Sequence, residues 1–300
     1  MLRDVVDSLS GAGLKLGEKT LYIRADYIRH LGRRGLSPTT IEKYSIHLRA
    51  FENWLGRPLV TASTADVEVF LDTRKMNDRS RCEWISHLSC FYVWSKRAVG
   101  KPAVNPTEAI IRPRLRRLLP RPISEADLET AMSCAQGNRT MTAFLTLGAF
   151  AGFRCCEMAW LTGESVLWHE GVINVFGKGS KERSVEIHPL VGDALRAVGV
   201  PRLGSVFVRP NGNPWTPHQV SDEIRWFLAD HDISATAHQL RHRFGTKTYA
   251  ACKDLRVVQE LLGHANPSTT ALYTAFARDD ARAAVLALPM FLPTDSDEAA

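Results

Sequence analysis

The chain has 300 residues, of which 45% are hydrophobic and 23% charged, which is typical of a globular protein with one large domain or two smaller ones. No apolar run of a secretory signal occurs near the N-terminus, and the most apolar stretch, 141–153, is too short to span a bilayer. We therefore expect a cytoplasmic protein without a membrane partner. The six cysteines show no C-x-x-C pair or metal-ligand spacing, and we interpret them as reduced core thiols.

Positive charge is concentrated in the first part of the chain. Residues 1–122 contain 22 Lys and Arg against 12 Asp and Glu, whereas residues 123–300 contain 16 against 20. A basic segment suits contacts with backbone phosphates of nucleic acid, because each neutralised phosphate releases counterions. The alternative is a solvated basic surface with no partner.

After a short extension, 1–19, residues 20–100 carry apolar side chains at helical spacing, and we predict four helices there. Ser37-Pro38 is a typical helix start, with a capping hydroxyl followed by a proline whose missing N–H costs nothing. Basic side chains between aromatic faces suggest a small DNA-binding bundle. The alternative is that the aromatic side chains form only the core of this bundle.

Residues 101–122 change in character, with five prolines, five arginines and one acidic residue. Each proline blocks continuation of a helix, so this stretch is predicted to be an extended connector between two domains. Its arginines could follow a DNA backbone, or the stretch could be a solvated linker. These arginines are Arg112, Arg114, Arg116, Arg117 and Arg121.

A second helical region begins at Ser124, a predicted N-cap, and its long apolar helix leads to Arg154. A guanidinium in such apolar surroundings needs a partner or a ligand. Glu157 lies three residues further on and can hold it. A purely structural Arg154–Glu157 ion pair is the alternative.

The periodicity then changes to that of strands. Residues 172–187 are predicted to form a strand, a Gly-rich turn and a second strand, which would present Lys178 at the tip of a hairpin. A lysine in such a turn could serve solubility alone. Helices are predicted at 189–198 and from Thr216-Pro217 onward, with a short strand and turn at 207–212 between them.

The segment from His238 to Tyr273 concentrates side chains suited to phosphodiester chemistry. His238 and Arg241 are three residues apart and point the same way from a helix. The i, i+4 spacing of His238 and His242 would suit zinc, but further ligands at a convincing spacing are absent from the sequence, so we expect no metal. Gly263 is predicted to end a helix, with His264 directly after it and Tyr273 on the next helix. Taken alone, Tyr273 could be a buried tyrosine.

Together these motifs resemble the tyrosine recombinase (phage integrase) family over roughly residues 20–290. The resemblance implies a mainly α fold with a small antiparallel β-sheet, built from a SAM-like helical core-site DNA-binding domain at 20–100 and an α+β catalytic domain at 123–278, joined by the 101–122 linker. It assigns catalysis, in chain order, to Arg154, Lys178, His238, Arg241, His264 and Tyr273. Glu157 and His242 take supporting roles, and Lys181 and Arg183 of the hairpin join the linker arginines as DNA-binding candidates.

The same resemblance implies site-specific recombination of double-stranded DNA core sites through a 3′-phosphotyrosyl intermediate and a Holliday junction, without metal, ATP or other cofactor. A homotetramer and an accessory directionality factor are the expected partners in a bacterial host. Because the N-terminal extension is short, we expect a simple integrase or a Xer-like enzyme without an arm-binding domain. Phage-type integration and excision is the first expectation. Xer-like dimer resolution, a type IB topoisomerase or telomere resolvase, and a non-enzymatic DNA-binding regulator are the alternatives.

The C-terminal segment 279–300 is predicted to combine an apolar helix with an acidic tail. A terminal apolar helix needs a surface to cover. The family resemblance implies a neighbouring protomer, and packing in cis is the alternative.

Overall fold

A computed structural model describes residues 16–99, 104–115, 121–176 and 182–263. Contacts divide the chain into two compact units between residues 117 and 118, a point inside the predicted connector 101–122. Tyr273 and the predicted C-terminal helix at 279–300 lie outside the described residues. No described helix combines the length and apolar character needed to cross a membrane.

Four α-helices are present in the described part of the first unit, and local sequence signals set their ends. Ser37 accepts a hydrogen bond from the Thr40 amide at the start of the second helix, and Gly56 ends that helix with φ +66°. Ser63 and Asp66 form a reciprocal capping box at the start of the third. The helices are α1 Leu16–Arg33, α2 Pro38–Leu55, α3 Thr64–Asp72 and α4 Asp78–Val99.

Aromatic side chains form much of the core of the first unit, as the alternative interpretation of this bundle held. The fully buried rings belong to Tyr27, Phe51, Phe70, Phe91 and Tyr92. Ile110 from the predicted connector joins the same core, and Arg112 Nη1 donates to Ser86 Oγ on α4 at 2.9 Å. Residues 104–115 therefore pack against α4 and do not form an open linker, because an apolar side chain on this stretch is buried in the bundle.

The second unit contains seven helices within the described ranges, together with a three-stranded antiparallel sheet in the order β1-β2-β3. The helices are α5 Glu125–Cys134, α6 Arg139–Phe150, α7 Cys155–Ala159, α8 Pro189–Val198, α9 Pro217–Asp230, α10 Ala237–Cys252 and α11 Leu255–Leu262. The strands are β1 Val166–Leu167, β2 Val172–Phe176 and β3 Glu182–Glu186. The predicted fold class, mainly α with a small antiparallel sheet, is confirmed.

Helix α6 lies at the centre of the second unit and contacts α5, α8, α9 and α10. Nearly every residue from Met141 to Ala149 is buried, which matches the continuous apolar run seen in the sequence. The predicted hairpin is present, with Ile173 paired to Val185 and Val175 paired to Arg183. Its turn, 177–181, lies outside the described residues.

The cysteines differ from expectation in where they lie. All six are free thiols, but Cys90, Cys134 and Cys252 are exposed, and Cys82, Cys155 and Cys156 are partly buried. None of the six belongs to the fully buried core, because the larger aliphatic and aromatic side chains fill it.

Candidate active site

Arg154 is the N-cap residue of the short helix α7, and its position is set by the turn that follows α6. Gly152 has φ +66°, and a Cβ there would lie 2.4 Å from the Phe244 ring, so glycine is required at this point. The Arg154 backbone amide donates to Glu157 Oε2 at 2.7 Å, and its Nη1 donates to Glu157 Oε1 at 2.7 Å. The predicted contact is therefore present as an N-cap interaction and not as a pair on one helical face.

Glu157 is the centre of the charged cluster. Its side chain is 1% exposed, and the guanidinium of Arg183 on β3 forks onto it, with Nη1 2.8 Å from Oε1 and Nη2 2.9 Å from Oε2. Arg241 Nη1 from α10 lies 3.6 Å from Oε2. Three arginines and one carboxylate thus share a small volume. We call Arg154, Glu157, Arg183 and Arg241 the arginine cluster.

The arginine cluster also holds the end of α11. The last carbonyls of a helix have no partner within the helix. Here three successive carbonyls each accept from a different arginine: Leu261 from Arg183 Nε at 2.8 Å, Leu262 from Arg241 Nη2, and Gly263 from Arg154 Nη2 at 3.5 Å. Since His264 follows directly in the chain, the cluster fixes the backbone position from which His264 departs.

The charged partners keep Glu157 ionised. Burial alone would raise the pKa of its carboxyl, but the hydrogen bonds and charge of Arg183, the Arg154 amide and the charge of Arg241 outweigh it and lower the pKa to about 2. The four side chains therefore carry two positive charges in excess at neutral pH. This excess suits an anionic ligand such as a phosphodiester.

Exposure differs sharply among the arginines. The side chain of Arg154 is 35% exposed, whereas those of Arg183 and Arg241 are 8% and 2% exposed. Both terminal nitrogens of Arg241 donate to carbonyls, Nη1 to Gly152 and Nη2 to Leu262. Arg154 is therefore the guanidinium that faces solvent, while Arg241 lies behind it.

His238 and His242 lie one turn apart on α10, with ring centroids 4.3 Å apart in an edge-to-face arrangement. Burial and the charges of Arg241 and Arg154 lower the pKa of His238 below its ordinary value. Burial, His238 and Arg241 lower the pKa of His242 to about 4. Both imidazoles are therefore neutral at pH 7, and a neutral imidazole can accept a proton.

The remaining predicted residues fall into two groups. Lys178, His264, Tyr273, Arg116, Arg117 and Lys181 lie outside the described residues. Arg112, Arg114 and Arg121 are described and exposed.

Arg183, predicted as a DNA-binding residue, is buried in the structure, where its guanidinium pairs with Glu157. Strand alternation contained the signal for this. Arg183 and Val185 are two residues apart on β3, so they share a face, and Val185 is buried. A basic side chain on the buried face of a strand needs a carboxylate partner, and the sequence interpretation overlooked this one.

Comparisons with known proteins identify the family of the chain. The model of the "Phage integrase family" matches residues 123–279, and that of the "Phage integrase, N-terminal SAM-like domain" matches residues 25–98. The tyrosine recombinase XerD of Pseudomonas aeruginosa is 33% identical over 267 residues, covering 82% of this chain and 89% of that protein.

Two solved structures share the fold. The Tn1549 transposon integrase in complex with transposon right end DNA has a TM-score of 0.72 at 19% identity, covering 90% of this chain and 99% of that one. A lambda integrase dimer bound to a COC′ core site has a TM-score of 0.71 at 15% identity, covering 84% and 94%. The chain belongs to the phage integrase family and is a tyrosine site-specific recombinase.

Proposed function

We propose that this recombinase cleaves and rejoins double-stranded DNA at core sites with Tyr273 as the nucleophile. The observation that carries the proposal is the convergence of Arg154 and Arg241 on the buried Glu157 carboxylate, next to the neutral His238. The relatives support it, because both solved structures named above hold DNA.

Charge stabilisation is the main task of the site. A phosphodiester under attack gains negative charge in its pentacoordinate transition state, and preorganised cations lower the barrier. Arg154 has the exposure needed to fork onto the non-bridging oxygens. Arg241, which is almost fully buried, contributes positive charge from behind Arg154. His264 would add a hydrogen bond to the same phosphate.

Proton transfers complete the cleavage step. The Tyr273 oxygen attacks phosphorus and forms the 3′-phosphotyrosyl bond, while the bond from phosphorus to the 5′ oxygen breaks. The phenol proton passes to His238, whose lowered pKa keeps it neutral and able to accept. Lys178 gives a proton to the departing 5′ oxygen. His242 packs edge-on against His238 and supports its ring. Attack by the 5′-hydroxyl of a partner duplex then reverses the chemistry and reseals a recombinant strand through a Holliday junction.

Covalent trapping tests the nucleophile. A duplex that binds the protein is selected from a random-sequence pool and then nicked near the cleavage point, so that the released strand diffuses away and the adduct accumulates. We expect Tyr273→Phe to abolish the adduct. Tyr249→Phe is the matched control, because Tyr249 lies on α10 and packs beside α11. Adducts that persist in Tyr273→Phe would remove Tyr273 from the mechanism.

The exposed connector arginines are the proposed phosphate contacts. Arg114 and Arg121 are exposed, and Arg112 is exposed although one of its nitrogens bonds Ser86. Arg116, Arg117 and Lys181 are proposed with them from sequence alone. Such contacts position a duplex without reading its sequence.

Assembly and biological outcome are proposed from the family resemblance. We propose a homotetramer on two core sites, with the 279–300 segment exchanged between protomers and an accessory factor that sets direction. Phage-type integration and excision is the first candidate. The 33% identity to XerD along most of both chains favours Xer-like dimer resolution as the second. Plasmids that carry two directly repeated selected sites distinguish the two candidates. Efficient resolution without added proteins favours Xer-like dimer resolution, and a need for two different sites favours phage-type integration and excision.

A further inference from the structure

We propose that Arg183 is a positioning residue for strand cleavage: it occupies Glu157 so that this carboxylate does not draw Arg154 and Arg241 away from the scissile phosphate. The inference rests on the proposed function. The Arg183 side chain is only 8% exposed, and its guanidinium is engaged by Glu157. It acts through the other members of the arginine cluster.

The first support is the geometry of the Glu157 carboxylate. Arg183 takes both oxygens in a parallel fork at 2.8 and 2.9 Å. Arg154 then bonds Oε1 through Nη1 alone, and Arg241 stays 3.6 Å from Oε2. A fork is the strongest geometry between a guanidinium and a carboxylate. While Arg183 holds it, neither Arg154 nor Arg241 can do so.

The second support is the link to α11. Arg183 Nε donates to the Leu261 carbonyl, and a Cβ on Gly263 would lie 3.1 Å from Arg183 Cδ. Arg183 therefore packs along the backbone that leads into His264. Arg183 is also five residues after Lys178 in the chain, on the second strand of the hairpin that carries it. The Arg183 side chain thus connects β3, the Glu157 carboxylate and the end of α11, which leads into His264.

Loss of Arg183 would leave Glu157 buried with two remaining cationic partners. A buried carboxylate with incomplete pairing is destabilising, because its desolvation is costly. Arg154 is the more exposed of the two, at 35%, and we expect it to rotate inward and replace the missing fork. The phosphate then loses its solvent-facing guanidinium although Arg154 is still present.

The test separates binding from chemistry with the nicked selected duplex. Because a 1 Å misplacement of a catalytic group costs about 100-fold, we expect Arg183→Met to slow adduct formation about 100-fold. Affinity for the intact duplex should stay within about threefold, since Arg183 makes no exposed phosphate contact. Arg196→Met is the matched control: it removes an exposed arginine of the same unit that pairs with Asp193, and it should leave both quantities unchanged.

A double-mutant cycle identifies Glu157 as the agent. Glu157→Gln keeps the shape of the side chain and removes its charge, and we expect a loss of about tenfold. The double variant Glu157→Gln/Arg183→Met should stay within about threefold of Glu157→Gln, whereas independent effects would multiply to about 1,000-fold.

Each outcome decides between the alternatives. Multiplicative losses would assign Arg183 a merely structural role and overturn the proposal. If Arg183→Met does not fold, the double variant, which has no unpaired carboxylate, is compared with Glu157→Gln, and a further loss of about 100-fold contradicts the proposal. Failure of the native protein to form any adduct would instead overturn the proposed function. A native adduct that Arg183→Met forms equally fast would overturn this inference alone.

Discussion

The two units bury polar side chains in opposite ways. In the second unit the arginine cluster surrounds Glu157 with positive charge. In the first unit an imidazole cluster, formed by Tyr44, His47, Trp84 and His87, is built from stacked rings. The His47 ring lies flat on Trp84 with centroids 3.8 Å apart and an angle of 5°, and the His87 ring stacks on Tyr44 at 4.0 Å. His47 Nδ1 and His87 Nδ1 share a hydrogen bond of 2.8 Å.

The two clusters offset the desolvation cost of a buried ionisable group in different ways. Glu157 stays charged because Arg183 and the other cations outweigh its burial and lower its pKa to about 2. His47 becomes neutral instead: burial, and then His87, lower its pKa to about 4. Burial likewise lowers the pKa of His87. The arrangement around Glu157 retains excess positive charge and therefore suits an anion-binding site, whereas neutral rings such as His47 suit a packed core.

Removing one member of each cluster is the most direct test of how the two clusters differ. Glu157→Leu leaves Arg183 and Arg241 buried without an anion, and we expect the free energy of unfolding to fall by about 3–5 kcal/mol. His87→Leu removes a neutral partner, and the half-buried His47 can turn to water, so we expect a loss of about 1 kcal/mol. Urea unfolding at pH 7 measures both.

A surface pair supplies the control for the charge itself. Glu260 pairs with Arg256 on α11, and both side chains are well exposed. Glu260→Leu should change the free energy of unfolding by less than about 1 kcal/mol. Equal losses for Glu157→Leu and His87→Leu would show that the two clusters do not differ in the way described.

Local signals in the sequence were enough to predict most elements. Ser37-Pro38 and Thr216-Pro217 begin helices where predicted, because a capping hydroxyl followed by proline acts within one turn. The helix at 189–198 has the predicted bounds, and Gly263 ends α11 as expected. The contact of Glu157 with Arg154 was also predicted, since only three residues separate them.

Contacts between distant parts of the chain were not predicted. Arg183 meets Glu157 across 26 residues, and Arg154 meets Gly263 across 109. Strand alternation places Arg183 on the buried face of β3, but no local pattern identifies its partner. Such pairings arise only when the sheet and α11 pack beside α7. The docking of Ile110 into the first unit was missed for the same reason, because prolines around it favoured an extended connector. Lys178, His264 and Tyr273 remain predictions of the sequence and the family.

A substitution at Gly263 tests the contact between the arginine cluster and the end of α11, with a smaller expected effect. Gly263 has φ +60°, and an added Cβ would meet Arg183 Cδ at 3.1 Å. We expect Gly263→Ala to destabilise the fold by about 1–2 kcal/mol from left-handed strain, and by more if Arg183 cannot shift. Gly212→Ala is the matched control, because Gly212 has φ +82° and open space around its Cβ position. Adduct formation that falls in Gly263→Ala but not in Gly212→Ala would attribute the loss to the cluster; equal rates in both would argue against that attribution.

The smallest expected effect concerns the imidazole cluster in acid. The pKa of His47 is lowered from 6.5 to about 4 in the folded protein, so the unfolded chain binds its proton first as the pH falls. The contribution of neutral His47 is therefore complete above about pH 6.5 and is lost progressively towards about pH 4. Glu83 opposes this shift in pKa, while Lys43 and Arg74 add to it.

The substitution His47→Gln tests this contribution. When the pH falls from about 7 to about 5, we expect the native protein to lose about 1 kcal/mol more unfolding free energy than His47→Gln does, a figure discounted for solvent screening. This window lies above the range in which Glu157 takes up its proton, so the arginine cluster contributes equally to both proteins. His169→Gln, at an exposed histidine of the second unit, serves as the control. An unchanged pH slope in His47→Gln would mean that the stacked imidazoles do not bury a neutral form, and the contrast with Glu157 would then fail.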